Sequence, residues 1–246
     1  MKDIIEIDHF KMAFDKTTVI DDVSFTVRRG ETFGLLGSNG SGKTTTIRAL
    51  LGIYQPTAGT LLIDGKPYSV SGKTRLGYLP EERGLYKKEA VIDIMVYFGQ
   101  LKGLDKSEAH QQAMDYLARV KMVDKAKTRL DKLSGGQQQK IQVGVTIMGD
   151  PTLLILDEPT KGFDPVNRKL LMDIIEEHQA KGATVVMVTH QMEEVERLCD
   201  RIVLLKDGKV RAYGTVKAVR AKFDNKSLND IFLDVYGDEV QEAENV

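Results

Sequence analysis

Near the N-terminus, "DIIEIDHF" and "VIDDVSFTV" alternate apolar with polar residues, the period of a strand that covers one face and wets the other. The two stretches predict antiparallel strands, with Arg29-Gly30 as the turn that leads into the apolar run "ETFGLLG". That run enters the glycine-rich "GSNGSGKT", and "TTTIRALLG" then takes up helical spacing and ends on Gly52. The order is strand, loop, helix. Beyond "QPTAG", the stretch "TLLIDGKPY" predicts a hairpin turning at Asp64-Gly65.

From about Leu85 to Lys132 the pattern becomes helical, in "AVIDIMVYFGQLKG" and "KSEAHQQAMDYLARVKM", with Gly103 and Asp105 between them. Strands return as "TLLILDEP" and "GATVVMVTH", short apolar runs each preceded by a helix, as buried parallel strands require. "DRIVLLKDGKVRAYG" reads as two strands around Asp207-Gly208, and "SLNDIFLDVYG" as a short helix before the frayed acidic tail "DEVQEAENV". The expected fold is therefore α/β. Its core spans 1–84 and 133–216, a helical insertion spans 85–132, and a C-terminal helix with an acidic tail spans 217–246.

Length fits this picture, because 246 residues suffice for one full core carrying a subdomain. Charged residues are 29% and balanced to a net −1, which removes the electrostatic case for nucleic acid as a partner. The single cysteine, Cys199, excludes an internal disulfide, fits a reducing compartment and reads as a half-buried small apolar residue. "MKDIIEIDHF" lacks the basic start and long apolar run of a signal peptide, and no stretch approaches the apolar length needed to span a bilayer. The expectation is a soluble chain whose membrane role requires a partner.

Three stretches carry candidate chemistry. Gly37, Ser38, Asn39, Gly40, Ser41, Gly42, Lys43 and Thr44 fit G-x-x-x-x-G-K-[ST] between a predicted strand and a predicted helix, with Thr45 following. Loop N–H groups would surround a β-phosphate, Lys43 would reach the β and γ oxygens, and the Thr44 hydroxyl would ligate Mg²⁺. "LLILDE" puts Asp157 and Glu158 at a buried strand end. Asp157 suits the water shell of Mg²⁺, and Glu158 suits an attacking water as general base or water-orienting group. The third stretch, "LSGGQQQK", opens a helix with Ser134 as possible N-cap and two glycines that admit a ligand to the backbone, which suits an anion. One nucleotide hardly needs two such cradles.

"GSNGSGKT", "LSGGQQQ", "LLILDEPT", "KGFDP" and "VTHQMEE" in this order resemble the nucleotide-binding subunit of an ATP-binding cassette (ABC) transporter over nearly the whole chain. The resemblance implies a P-loop ATPase core with an N-terminal antiparallel β-subdomain and an inserted α-helical subdomain. It also implies ATP and Mg²⁺ as ligands, and a head-to-tail pair of ATPase subunits, homodimer or heterodimer, with two ATP molecules between them. Ser134, Gly135, Gly136 and Gln137 would then touch the γ-phosphate held by the other subunit's P-loop. Asp164 matches the loop that crosses the interface. His190 matches the switch histidine at the γ-phosphate, and Phe14 matches the aromatic that stacks on adenine, with a core phenylalanine as the rival reading.

Glu81, in "RLGYLPEERGLY", falls where the family usually carries a glutamine that reaches Mg²⁺ and water. A carboxylate there ligates Mg²⁺ more strongly but adds negative charge beside the γ-phosphate. The other reading has Glu81 facing solvent or pairing with a nearby arginine. That loop, with "QQQKIQ" and "DEPTKGFDPVN", resembles ATPase subunits of bacterial sodium-extruding and drug- or peptide-exporting systems. The expected partners are separately encoded membrane permease subunits, which place the chain peripherally on the cytoplasmic face of the membrane. An importer ATPase, or a non-transport ABC ATPase of translation or repair, remains the alternative.

Overall fold

The computed structural model describes residues 2–68, 75–82 and 84–243, with side chains described to residue 237. Arg83 of the "PEERG" loop and Glu244, Asn245 and Val246 of the acidic tail lie outside the described residues. The chain divides into two compact units, Met1–Thr74 with Thr184–Val246, and Arg75–Ala183.

In the first unit, β1 (Asp3–Phe14) pairs antiparallel with β2 (Thr17–Arg28), from Asp3↔Arg28 to Phe14↔Thr17. β4 (Ala58–Ile63) takes the other edge of β1. The turn at Asp64-Gly65 forms with both residues at positive φ, but it closes only a single bridge, Ile63↔Lys66. The apolar side chains of β4 find their cover across β1, so the expected hairpin stops after one pair.

A second set of strands surrounds β3 (Thr32–Leu36), which lies parallel to both β7 (Thr184–Thr189) and β8 (Arg201–Lys206). Every residue of β3 and β7 is buried, as expected for parallel strands covered on both faces. β9 (Lys209–Thr215) folds back on β8 through Asp207-Gly208. α1 (Lys43–Leu50) and α6 (Met192–Leu198) also belong to this unit, and its C-terminal part departs from a short helix and loose tail. α7 (Val216–Lys222) is capped by Thr215, and α8 runs from Leu228 to Ala243 through the acidic stretch. Leu228, Ile231 and Tyr236 of α8 pack with Val195, Leu204 and Val219, so apolar anchoring keeps the acidic turns helical. Cys199 is partly buried, and its thiol is pushed well above the usual range by that burial.

One buried ion pair stands out in this unit. Arg201 Nη1 donates to Glu31 Oε1 at 3.0 Å, with both side chains under 10% exposed (8% and 9%). The guanidinium lies 5.8 Å from the Phe33 ring and 4.9 Å from the Tyr213 ring. Burial raises the Glu31 carboxyl, and hydrogen bonds from Arg28 N–H and Arg201 offset part of that rise.

In the second unit, β5 (Leu76–Leu79) lies parallel to β6 (Leu153–Asp157). α2 (Val91–Leu101) and α3 (Lys106–Arg119) follow, with a capping box between Asp105 and Glu108 starting α3. α4 (Gly135–Ile147) packs so closely on Tyr116 that a Cβ at Gly144 would lie 2.4 Å from that ring. At its far end Lys102 Nζ donates to the carbonyls of Val145 (2.8 Å) and Thr146 (2.6 Å), where a helix end favours a cation. α5 (Pro165–Ala180) completes the unit. Among the described residues no helix is long and apolar enough to cross a membrane.

Candidate nucleotide site

The glycine loop joins β3 to α1 in the first unit. Gly42 caps α1 at φ 99°, a left-handed conformation, and a Cβ there would lie 2.2 Å from Ile20 Cδ1. The left-handed conformation favours glycine, and any side chain there would also have to displace the Ile20 methyl. A Cβ at Gly37 would meet Ser41 Oγ at 2.2 Å and the Leu205 carbonyl at 2.7 Å. Lys43 is 7% exposed and folds back across the loop, donating to the carbonyls of Gly37 (2.9 Å) and Ser38 (2.8 Å). The Ser41 hydroxyl is buried and makes no hydrogen bond. A buried unpartnered hydroxyl and an ammonium resting on carbonyls are features of a loop built to receive oxygens.

His190 directly follows β7, whose Thr189 pairs with Leu36, so the strand register sets His190 and Gly37 as the next residues of neighbouring strands. His190 is exposed. Phe14, 41% exposed at the end of β1, is outside the core. Its ring meets Tyr54 edge-on at 5.3 Å and 82°, and Arg48 holds the Tyr54 hydroxyl at 3.0 Å. The core reading of Phe14 is thereby corrected.

The remaining candidates belong to the second unit. Ser134 caps α4: its Oγ accepts from Gln137 N–H at 3.3 Å, and Gln137 Oε1 accepts from Ser134 N–H at 2.9 Å. Gly135 and Gly136 form the half-buried first turn beside this cap. Asp157 ends β6 at 1% exposure, and Glu158 follows at 7% in a left-handed conformation, φ 49°. A side chain held there costs on the order of 1 kcal/mol and marks a place where orientation matters. Two residues on, the Thr160 hydroxyl is buried and makes no hydrogen bond. Asp164 is the N-cap of α5, accepting from Asn167 N–H (2.9 Å) and Asn167 Nδ2 (2.6 Å), and those bonds hold its carboxyl below the usual range.

Glu81 Oε1 accepts from Lys161 Nζ at 2.7 Å, a lysine partner that the sequence reading did not name, while the nearby Arg83 lies outside the described residues. On either side of Glu81 the carbonyls of Pro80 and Glu82 accept from Gln142 Nε2, at 3.3 and 3.1 Å. Lys161 and Gln142 do not emerge from motif reading. Both lie inside quoted motifs, but nothing in their spacing announces a contact across 60 or more residues.

A sequence profile for the family described as ABC transporter matches residues 20–161. An uncharacterized ABC transporter ATP-binding protein of Methanocaldococcus jannaschii is 42% identical over 222 residues, 90% of this chain and 81% of that protein. Nod factor export ATP-binding protein I of Paraburkholderia xenovorans is 36% identical over 231 residues, 93% and 76% of the two chains. The linearmycin resistance ATP-binding protein of Bacillus subtilis is 35% identical over 215 residues, 86% and 69%. A solved ATP-binding subunit of an ABC transporter superposes with TM-score 0.88 at 29% identity, over 94% of this chain and 98% of that one. The fold is shared as well with cbiO1 of Clostridium perfringens, described as part of the cbiONQ transporter complex, at TM-score 0.76 and 24% identity over the full length of both.

Proposed function

We infer the working cycle from one premise: this chain belongs to the ABC transporter family, as an ATP-binding, ATP-hydrolysing subunit. Lys43 and the loop N–H groups of Gly37 through Thr45 bind the triphosphate, and Phe14 offers its exposed face to adenine. Glu158 orients and deprotonates the attacking water, His190 holds that water and the γ-phosphate, and Asp164 fixes the start of α5 at the subunit interface.

The donors present fit Mg²⁺. Thr44 offers a hydroxyl and Asp157 a buried carboxylate, both hard oxygens. Among the described residues no group of three or more His, Cys, Asp or Glu side chains forms a metal cage, which matches an ion that takes its other ligands from phosphate and water. When bound, Mg²⁺ supplies charge neutralisation of the β and γ oxygens.

The observation that carries the dimer is the capped N-terminus of α4. Its glycine-bearing first turn is a second anion site in a chain whose own phosphate loop already serves one nucleotide. Two copies related head to tail let each Ser134–Gln137 segment close on the ATP of the other. Binding energy is then realised only in the closed pair, and ATP shifts the population toward it. Export is the direction favoured by relatives named for Nod factor export and linearmycin resistance, with Na⁺, a drug or a peptide as the substrate class. Tyr86, Tyr97 and Leu101, 55%, 46% and 63% exposed on and before α2, form an apolar face suited to a membrane permease subunit. Such docking places the chain on the cytoplasmic side of the membrane.

Glu158→Gln tests the reading. The variant should bind ATP, hydrolyse it at least about 100-fold more slowly, and elute as a dimer in light-scattering chromatography with Mg·ATP. Turnover at the wild-type rate would remove Glu158 from the mechanism, and a monomer that retains ATP would remove the shared-nucleotide dimer.

A further inference from the structure

We propose that Lys161 belongs to the nucleotide machinery as a positioning residue: its ammonium pairs with the Glu81 carboxylate, so that the loop after β5 presents no uncompensated negative charge to Mg·ATP. The inference rests on the ATPase reading above.

Both ends of the pair are fixed by the fold. Glu81 is bracketed by Pro80 and Glu82, whose carbonyls are held by the Gln142 amide, and Gln142 is 4% exposed within α4. Lys161 sits on the turn that begins at Glu158, with its N–H donating to the Glu158 carbonyl at 3.1 Å and Phe163 N–H closing on the Thr160 carbonyl at 3.0 Å. The ammonium therefore rides on the same turn as the proposed general base. Glu81 raises its basicity most, through the hydrogen bond and then through charge, and the charges of Glu158 and Asp157 add to the rise. Three carboxylates thus act on one ammonium.

An exposed ion pair contributes little to stability, and the two side chains here are 40% and 63% exposed. What the pair changes is charge. A free Glu81 would repel the polyanionic triphosphate. Paired with Lys161 it presents only the hydrogen-bonding edge of a neutral couple. On this proposal Glu81 acts as a charge-compensated group beside the nucleotide.

The test is a double-mutant cycle on the full chain: wild type, Lys161→Ala, Glu81→Gln and both together, with Lys161→Arg as the conservative replacement. Equilibrium binding of a fluorescent ATP analogue is titrated without Mg²⁺ and again with it, at fixed salt, after thermal melts confirm folding. Lys161→Ala should weaken metal-free binding roughly fivefold or more, Lys161→Arg should retain wild-type affinity, and adding Glu81→Gln to Lys161→Ala should restore affinity to within about twofold. A Lys161→Ala effect that is the same with and without the Glu81→Gln change would overturn the proposal, because uncoupled residues add. Lys43→Ala is measured alongside. If it binds ATP like the wild type, the phosphate-loop reading itself fails, whereas loss of binding there with an additive cycle removes only the role of Lys161.

Discussion

Lys102 offers a prediction whose sign and size follow from its surroundings. Its ammonium is mostly buried at the last turn of α4 and donates to the carbonyls of Val145 and Thr146. Burial pushes it from 10.5 down to about 8, a difference worth about 3 kcal/mol between charged and neutral forms. The unfolded chain keeps this proton up to about pH 10.5 and the folded chain only to about pH 8, so between those values the unfolded state binds more protons. Folded stability therefore rises with pH across that window.

A Lys102→Met variant has no such proton. It loses the donor on two carbonyls, a roughly constant penalty of about 1 to 3 kcal/mol. Every other titrating group cancels in the comparison. The signed difference, wild-type minus variant stability, should rise by about 2 kcal/mol from pH 7.5 to 9.5, measured by urea unfolding with linear extrapolation at each pH. A signed difference that stays level or falls would show that the two carbonyls hold the ammonium charged against its burial, contrary to the desolvation reading.

Two further outcomes follow from the described contacts. Glu31→Ala should cost about 3 to 5 kcal/mol in unfolding free energy, because it leaves the Arg201 guanidinium buried without its carboxylate; a loss below about 1 kcal/mol would mean that the Phe33 and Tyr213 rings suffice. Ser134→Ala should destabilise the first turn of α4 by about 1 kcal/mol, seen as faster amide exchange at residues 135–138 and a weaker ATP-driven dimer, and unchanged exchange would count against the cap.

The parts of the fold legible in the sequence are those whose signals are local. β3, the glycine loop and α1 are announced by an apolar run, a motif and a change of period within about twenty residues. Ser134 as a helix cap is likewise readable in five letters. What the pattern hides is tertiary. β4 abandons its own hairpin for β1 because the apolar cover lies there, more than forty residues back in the chain. The acidic "DEVQEA" reads as solvated tail, yet Ile231 and Tyr236 anchor the helix that carries it. Asp164 followed by Pro165 is a helix-start signal in plain sight, and the structure uses the carboxylate as that cap. The Glu81–Lys161 pair joins residues 80 positions apart, and no periodicity encodes such a meeting.

The cap of α4 also decides what Gln137 has to offer. A glutamine amide is two-faced, with an acceptor oxygen and a donor NH₂ on opposite arms. Here the oxygen is committed, because only an acceptor can meet the N–H of Ser134. The arm that remains carries two donors and no acceptor. A side chain that by composition suits either sign of partner is thus sorted by one hydrogen bond into a group that welcomes anions, and the helix end needs no lysine or arginine to do it. Replacing Gln137 with glutamate would keep the cap and present a second oxygen in place of the donors, turning the same helix end from one that favours an anion into one that repels it.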